Sequence, residues 1–518
     1  MNISQTVERF KAYTDRFNAI HQALNLFSWD MAVGAPKGGT ESRAKYVGIL
    51  SAEEFSMRVS DEMKGFLDAL EPYGESLDEI TKAMLRICRR YYYAYKKIPV
   101  EEMREYSELL PRAEAVWEKA REENDFASFA PILDRIIRYQ KKFVEYRGYE
   151  GHPYNTLLDD YEPGMTVEKL DVFFNRMKEV IVPLLKRIAA SDGRQDKTGF
   201  VNRLVPVDKQ RAVAGLLMKT VGFDLNRGML KESAHPFTND FGKNDVRITT
   251  HYHENAFLSS FYSVLHECGH AIYEQNKMDT IADTILDTGI SMGVHESQSR
   301  FYENIIGRSE AFWEYIYNGL MEILGDDFKD VSARQFYEAA NVAKPSLIRI
   351  EADELTYCLH IMVRYEIEKQ LFSGDFDVNE LPGVWNAKMR EYLGVEPAAD
   401  SAGILQDIHW SDGSFGYFPS YAIGNAYAAQ ILHVMRRDIP VENCVRNGDF
   451  KRIQEWLTEK IHRFGSLKTP SELMEELCGE TLNAEYYAEY LTEKFSAVYN
   501  RSGVLILPRP HIRQNYFC

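Results

Sequence analysis

Phe257-Leu258-Ser259-Ser260-Phe261-Tyr262-Ser263-Val264-Leu265-His266-Glu267-Cys268-Gly269-His270-Ala271-Ile272 carries apolar residues at 257, 258, 261, 264, 265, 268, 271 and 272. That three-to-four spacing predicts a helix with a wide buried stripe. His266 and His270 stand at i and i+4 on one face, bordering the stripe. Two neutral imidazoles one turn apart can grip a Zn²⁺ ion at about 2.0–2.1 Å each. Glu296, in Val294-His295-Glu296-Ser297, can supply a third ligand from a later helix, with water in the fourth position. Glu267, beside the first histidine, is then placed to take a proton from that water. Cys268 points away from the histidine pair and reads as packing. Gly269 weakens a helix interior, but its missing side chain lets something approach closely.

Most of the remaining chain has helical period. Phe10, Tyr13, Phe17, Ile20, Leu24 and Phe27 form a seam, read as an intramolecular helix pair in preference to a subunit contact. Pro36, Gly38 and Gly39 end that element. Helices are expected around 78–97, 100–122, 127–147, 166–190 and 207–221, and again at 299–324, 333–342, 346–374, 379–392, 421–437, 449–461, 470–478 and 483–498. The best strand candidate is 245–252, just before the helix of the histidine pair. A peptide bound beside it could share backbone hydrogen bonds with it. The expected fold class is mainly α with a small β-sheet near the zinc site.

The 518 residues are 45% hydrophobic, enough for a large core, with no linker, repeat or low-complexity tract. One unit is therefore expected over 1–518, with a helical shell at 1–230, a catalytic region at 231–430, and C-terminal helices and a tail at 431–518. The net charge of −17 argues against nucleic acid. No apolar run is long enough to span a membrane, and no signal core opens the chain. Six scattered cysteines without paired spacing read as reduced thiols of a cytoplasmic protein.

Eight of the thirteen histidines fall between 235 and 409. Four polar segments in the same region are His235-Pro236-Phe237, Asp245-Val246-Arg247-Ile248-Thr249, Ile348-Arg349-Ile350-Glu351-Ala352-Asp353, and Gly403-Ile404-Leu405-Gln406-Asp407-Ile408-His409-Trp410. Arg349 and Asp353 are spaced to pair along a helix. Further segments are Trp29-Asp30 with Pro36 and Gly38-Gly39, Leu157-Leu158-Asp159-Asp160-Tyr161-Glu162-Pro163-Gly164, His295-Glu296-Ser297-Gln298-Ser299, and Tyr417-Phe418-Pro419-Ser420-Tyr421-Ala422-Ile423-Gly424-Asn425. In this order, together with the histidine pair, they resemble the carboxypeptidase Taq family over nearly the whole chain. Two features depart from that pattern. Ala35 precedes Pro36 where the family usually has Met, and the tail from Val504 to Cys518 is no family hallmark.

The resemblance implies a two-lobed helical shell around a deep groove, zincin-like and similar to the neurolysin and angiotensin-converting-enzyme architecture. It implies a cytoplasmic homodimer that releases single C-terminal residues from peptides with broad tolerance. Its expected cofactor is one zinc per chain, held by His266, His270 and Glu296, with cobalt or manganese able to substitute. Glu267 is the expected general base for attack of zinc-bound water on the terminal peptide bond. Tyr421, Tyr417 and His409 are candidate oxyanion donors. Arg349 suits the substrate's free carboxylate, with His235, Arg247, Gln406 and His409 as helpers and Asp245 and Asp353 as orienting partners. The histidine pair alone is also compatible with an endopeptidase, which differs in lacking the carboxylate anchor. A non-catalytic peptide-binding scaffold would be expected to lack a ligand or the base, and all four are present.

Overall fold

A computed structural model describes residues 2–190 and 198–500, so the tail at 504–518 lies outside the described residues. The first half contains α1 (Ile3–Val33), α2 (Thr40–Arg58), α3 (Asp61–Leu70), α4 (Glu79–Tyr95), α5 (Val100–Glu123), α6 (Phe126–Arg147), α7 (Asn155–Tyr161), α8 (Val167–Ala190) and α9 (Val207–Val221). A short sheet follows, then α10 (Phe257–Gln275), α11 (Met292–Arg300), α12 (Glu310–Leu324), α13 (Ala333–Ala340), α14 (Tyr357–Phe372) and α15 (Leu381–Leu393). The last helices are α16 (Phe418–Asp438), α17 (Val441–Arg446), α18 (Phe450–Lys460), α19 (Pro470–Cys478) and α20 (Ala484–Asn500). The protein is thus mainly helical, as its periodicity predicts. Side-chain caps fix several starts: Ser60 accepts from Met63 N, Asp78 from Thr81 N, and Ser332 and Thr469 form capping boxes.

Two apolar cores organise these elements. The smaller joins α1, α3 and α4, where Phe10 and Tyr13 meet Phe66 at ring separations of 5.9 and 5.6 Å. The first half of the α1 seam is therefore an intramolecular contact. Ile20, Leu24 and Phe27 are only half-buried. The larger core holds the described chain from Ile98 onward, including the whole apolar stripe of α10 except half-buried Leu258. Ile281 and Leu286, in the loop after α10, belong to the smaller core and dock the two together.

The sheet has the order β1–β3–β2, with β1 at Gly228–Glu232, β2 at Thr238–Asp240 and β3 at Val246–Thr250. β1 runs parallel to β3 and β2 antiparallel to it. The expected strand is present, but it is the central one. Both its edges are already paired, so a peptide cannot add to it; the outer edges belong to β1 and β2.

Three other expectations are corrected. The stretch 299–324 is not one helix: α11 passes into a π-helical turn, Phe301–Ile306, and the chain breaks before α12. Gly307 lies where a Cβ would meet Leu265 Cδ1 at 2.5 Å, and Ser309 caps Phe312 N. The stretch 346–374 is helical only from Tyr357, because Asp353 accepts from Leu355 N and Thr356 N and so starts α14. Arg349 sits in a separate 3₁₀ turn, Arg349–Glu351, so the i,i+4 pair with Asp353 does not form. Pro111 and Pro131 lie inside α5 and α6.

Candidate metal centre

α10 presents His266 and His270 toward Glu296 on α11. The Nε2 atoms of both histidines converge on Glu296 Oε2, at 3.7 and 3.5 Å. All three ligand atoms lie within 4.8 Å of one another. Tetrahedral bonds of about 2.0–2.1 Å put neighbouring ligand atoms about 3.4 Å apart, so this triad fits a small cation with little adjustment. Two glycines allow the approach. A Cβ on Gly269 would stand 2.5 Å from Gln298 O, so α11 crosses α10 where the side chain is missing. A Cβ on Gly424 would stand 2.5 Å from Glu296 Cγ, which lets α16 press on the ligand from the other side.

The ligands are held from behind. His266 Nδ1 lies 2.8 Å from Glu303 Oε2, on the π-helical turn. π-turns often mark functional sites, and this one swings Glu303 toward α10. His270 Nδ1 lies 2.5 Å from His295 Nδ1, and His295 Nε2 lies 2.6 Å from Glu274 Oε1. Arg300 Nε donates to Glu296 Oε1 at 2.6 Å and its Nη1 to Glu303 Oε2 at 3.0 Å. Carboxylate partners of this kind fix ring orientation and raise ligand basicity. Burial opposes the charges of Glu296 and Glu303, but Arg300 and His266 outweigh it and hold both carboxyls well below their usual range. Burial and then the His295 charge push the His270 pKa down to about 3, which keeps that imidazole neutral. For His266, burial is outweighed by Glu296 and Glu303, and its pKa is raised.

Glu267 is buried, and Thr238 Oγ1 on β2 donates to its Oε2 at 2.6 Å. Burial raises the pKa of its carboxyl. The threonine engages one oxygen, and the other remains to exchange a proton. Cys268 is fully buried in the core, as packing demands.

Beyond Glu296 lies a second polar cluster. Arg300 stacks over the Tyr357 ring at 4.5 Å, and Tyr357 Oη accepts from Arg349 Nη1 at 3.1 Å. Arg349 also lies over the Tyr421 ring at 4.9 Å, and Tyr421 Oη lies 3.1 Å from His409 Nε2. Tyr417 meets Tyr421 edge-on at 5.1 Å. Arg349, Tyr417, Tyr421 and His409 are therefore gathered on the Glu296 side of the triad. Burial and Arg349 push the His409 pKa down to about 3, and burial pushes both tyrosines above their ordinary value.

Gln406 has a different place from the one expected. Its Oε1 accepts from Arg349 N and Arg364 Nη2, and its amide nitrogen donates to the Leu347, Ala402 and Gly403 carbonyls. It shapes the loop that carries Arg349. Asp353 does not orient Arg349; Asp407 does, accepting from Arg349 Nε at 2.9 Å and Arg364 Nε at 2.7 Å. His235 is exposed on the loop before β2. Arg247 is paired with Asp245 at 2.7 and 2.6 Å and stacked over Phe241 and Trp29. Asp245 thus orients Arg247 as expected, but neither His235 nor Arg247 joins the cluster around Arg349. The sequence reading missed Glu303, Arg300, His295, Glu274 and Asp407. Their signal was charge within apolar runs, as in Phe301-Tyr302-Glu303-Asn304-Ile305-Ile306.

Residues 9–495 match the family model described as carboxypeptidase Taq (M32) metallopeptidase. Carboxypeptidase 1 of Bacillus subtilis is 44% identical over 500 residues, covering 96% of this chain and 100% of the relative. Thermostable carboxypeptidase 1 of Pyrococcus furiosus is 38% identical over 501 residues, covering 95% and 99%. The crystal structure of an M32 carboxypeptidase from Deinococcus radiodurans superposes with a TM-score of 0.91 at 31% identity, covering 96% of this chain and 100% of that one.

Proposed function

Because the chain belongs to the carboxypeptidase Taq (M32) family and is a metallocarboxypeptidase, a peptide hydrolase, we propose that it releases single residues from peptide C-termini using one zinc ion held by His266, His270 and Glu296. The observation that carries the metal assignment is the convergence of two Nε2 atoms on one Glu296 oxygen, with both histidines braced from behind. Zinc suits a His₂Glu donor set, and cobalt or manganese can replace it. When bound, zinc supplies Lewis acidity and lowers the pKa of coordinated water.

The chain's own residues divide the remaining work. Glu267, oriented by Thr238, accepts a proton from the attacking water and returns it to the leaving amine. Its raised pKa brings it nearer to that double task than an ordinary glutamate. Tyr421 stays protonated and donates toward the developing oxyanion, with Tyr417 and His409 beside it. Arg349 takes the terminal carboxylate. Its Nε edge is held by Asp407, and among the described residues its Nη2 has no hydrogen-bond partner. His235, Arg247 and Gln406 act at a distance: Gln406 by building the Arg349 loop, Arg247 from the central strand and His235 from the loop before β2. Broad side-chain tolerance follows if recognition rests on the carboxylate and the backbone.

We place the two apolar cores on either side of the groove, as in a two-lobed zincin of the neurolysin and angiotensin-converting-enzyme kind, with one unit over 1–518 and the catalytic region at 231–430. The five described cysteines are unpaired, which favours a reducing compartment, the cytoplasm. Among the described residues no helix is long and apolar enough to cross a membrane. Leu26, Met31, Tyr46 and Ile49 are exposed on neighbouring α1 and α2, and support a homodimer. Elemental analysis of the purified protein tests the metal reading. About one zinc per chain is expected, lost with activity on chelation and restored together; full activity in metal-free protein contradicts it.

A further inference from the structure

Behind Arg349 lies a second guanidinium with no part in the division of work above. Arg364, on α14, is wholly buried, over the Trp385 ring of α15 at 4.5 Å and the Phe418 ring of α16 at 5.5 Å. A charge so buried has to be paired and hydrogen-bonded. Arg364 finds its partners among the residues that place Arg349. Its Nε and Nη2 lie 2.7 and 2.5 Å from Asp407 Oδ2, and the other Asp407 oxygen accepts from Arg349 Nε at 2.9 Å. Arg364 Nη2 also donates to Gln406 Oε1 at 2.8 Å, the same atom that accepts from Arg349 N. Its Nη1 donates to the His360 carbonyl at 2.8 Å, one turn back, which fastens the head group to α14.

The charges in this cluster do not balance. Among the described residues, Asp407 is the only carboxylate that forms an ion pair with either guanidinium. Glu368, one turn on from Arg364, accepts instead from Tyr154 Oη, Trp410 Nε1 and Gly416 N, and burial raises its pKa to about 7. Two histidines beside the pair are neutral. Burial and then the Arg364 and Arg349 charges push His360 down to about 3, and burial and Arg349 do the same to His409. Two guanidiniums thus share one carboxylate, and one positive charge is left over. Arg364 is sealed from solvent, whereas the Arg349 side chain is 8% exposed, so the surplus can be met only through Arg349. An incoming carboxylate would complete a set of two cations and two anions.

We propose that Arg364 is a buried positioning residue for the substrate's terminal carboxylate: it neutralises Asp407, so that Asp407 braces Arg349 without cancelling the charge that Arg349 offers the peptide. The inference rests on the carboxypeptidase reading above and extends it to a residue that never touches substrate.

The test is steady-state kinetics of zinc-loaded enzyme on a free-acid peptide, with zinc content and circular dichroism measured for each variant. Arg364→Met fills similar space beside Trp385 without the charge. It should raise KM about tenfold, the size of one weakened charge-assisted contact, and move kcat by less than about threefold, because the carboxylate is held alike before and during reaction. Arg364→Lys restores the charge and should keep KM within about threefold of the parent. Adding Asp407→Asn to Arg364→Met again leaves one guanidinium without a counter-charge, and should bring KM back to within about threefold of the parent. A merely structural role for Arg364 predicts the reverse, with the double variant the worst of the three. An unchanged KM in Arg364→Met, a loss confined to kcat, a Lys variant no better than Met, or a double variant no better than the single one overturns the proposal. If Arg364→Met does not fold, the double variant, which removes the buried pair together, is read against the parent, and a KM rise beyond about threefold overturns it. Failure of the carboxypeptidase reading shows separately in the parent enzyme, as no turnover or as equal turnover of free-acid and C-terminally amidated peptides.

Discussion

Glu303 braces the metal triad without being one of its ligands, and its removal should weaken zinc binding by roughly 10–100-fold, or about 1.4–2.8 kcal/mol. Its Oε2 accepts from both His266 and Arg300, and its Oε1 from Arg308 Nη2 at 3.3 Å. Glu303→Gln keeps the shape and one acceptor oxygen but removes the charge. His266 then loses a basicity-raising partner, and Arg300 is left with Glu296 alone, drawing that ligand's charge toward itself. Both changes act in the same direction. Glu303→Ala should lie at the upper end of the range and also lower the melting temperature, because Arg300 and Arg308 are half-buried and lose a counter-charge. Competition for zinc against a chromophoric chelator at fixed pH measures the effect, with circular dichroism confirming the fold. A Kd within twofold of the parent in a folded Glu303→Ala protein would refute the reasoning.

Glu267→Gln should retain one zinc per chain and lose about 10²–10⁴-fold in kcat, read by stopped-time peptide assay with metal analysis. Arg349→Gln should raise KM for free-acid peptides far more than it alters zinc content, which steady-state kinetics and elemental analysis separate. Gly269→Ala forces a Cβ to within 2.5 Å of Gln298 O and should destabilise by about 1–3 kcal/mol, read by denaturant titration. Glu162 and Glu368 are buried, and burial raises each from 4.5 to about 7. A carboxyl raised in the folded state adds stability that is full below about pH 4.5 and lost as pH rises through about 7. The double variant Glu162→Gln, Glu368→Gln should therefore show a flatter decline of melting temperature between those values than the parent, and an unchanged slope would contradict the assignment.

The helical architecture was legible because amphipathic period survives even where burial is nearly complete, as in α10. The metal ligands were legible because two of them sit one turn apart in sequence and the third lies in a segment, His295-Glu296-Ser297-Gln298-Ser299, that resembles the family's. The π-helical turn at 301–306 was not legible. It shifts the hydrogen-bond register by one residue, which leaves the apolar spacing of Phe301, Tyr302, Ile305 and Ile306 looking α-helical. Arg349 was found, but its partner was misassigned. Asp353 has the right helical spacing, yet an aspartate at that position caps α14 instead, and Asp407 arrives from 58 residues away. Sequence spacing finds contacts within an element; this contact depends on how two loops pack. The central strand was also found, but its neighbours β1 and β2 are short and weakly apolar, so the pairing that closes both its edges was invisible.

The central claim is metal-dependent removal of single residues from a free C-terminus. Its most direct test is digestion of one peptide as the free acid and as the C-terminal amide, with and without chelator, followed by mass spectrometry. The account predicts a ladder of single-residue losses from the free acid alone, abolished by chelator and restored by zinc. Internal cleavage of both peptides, or a ladder that chelation leaves untouched, would contradict it.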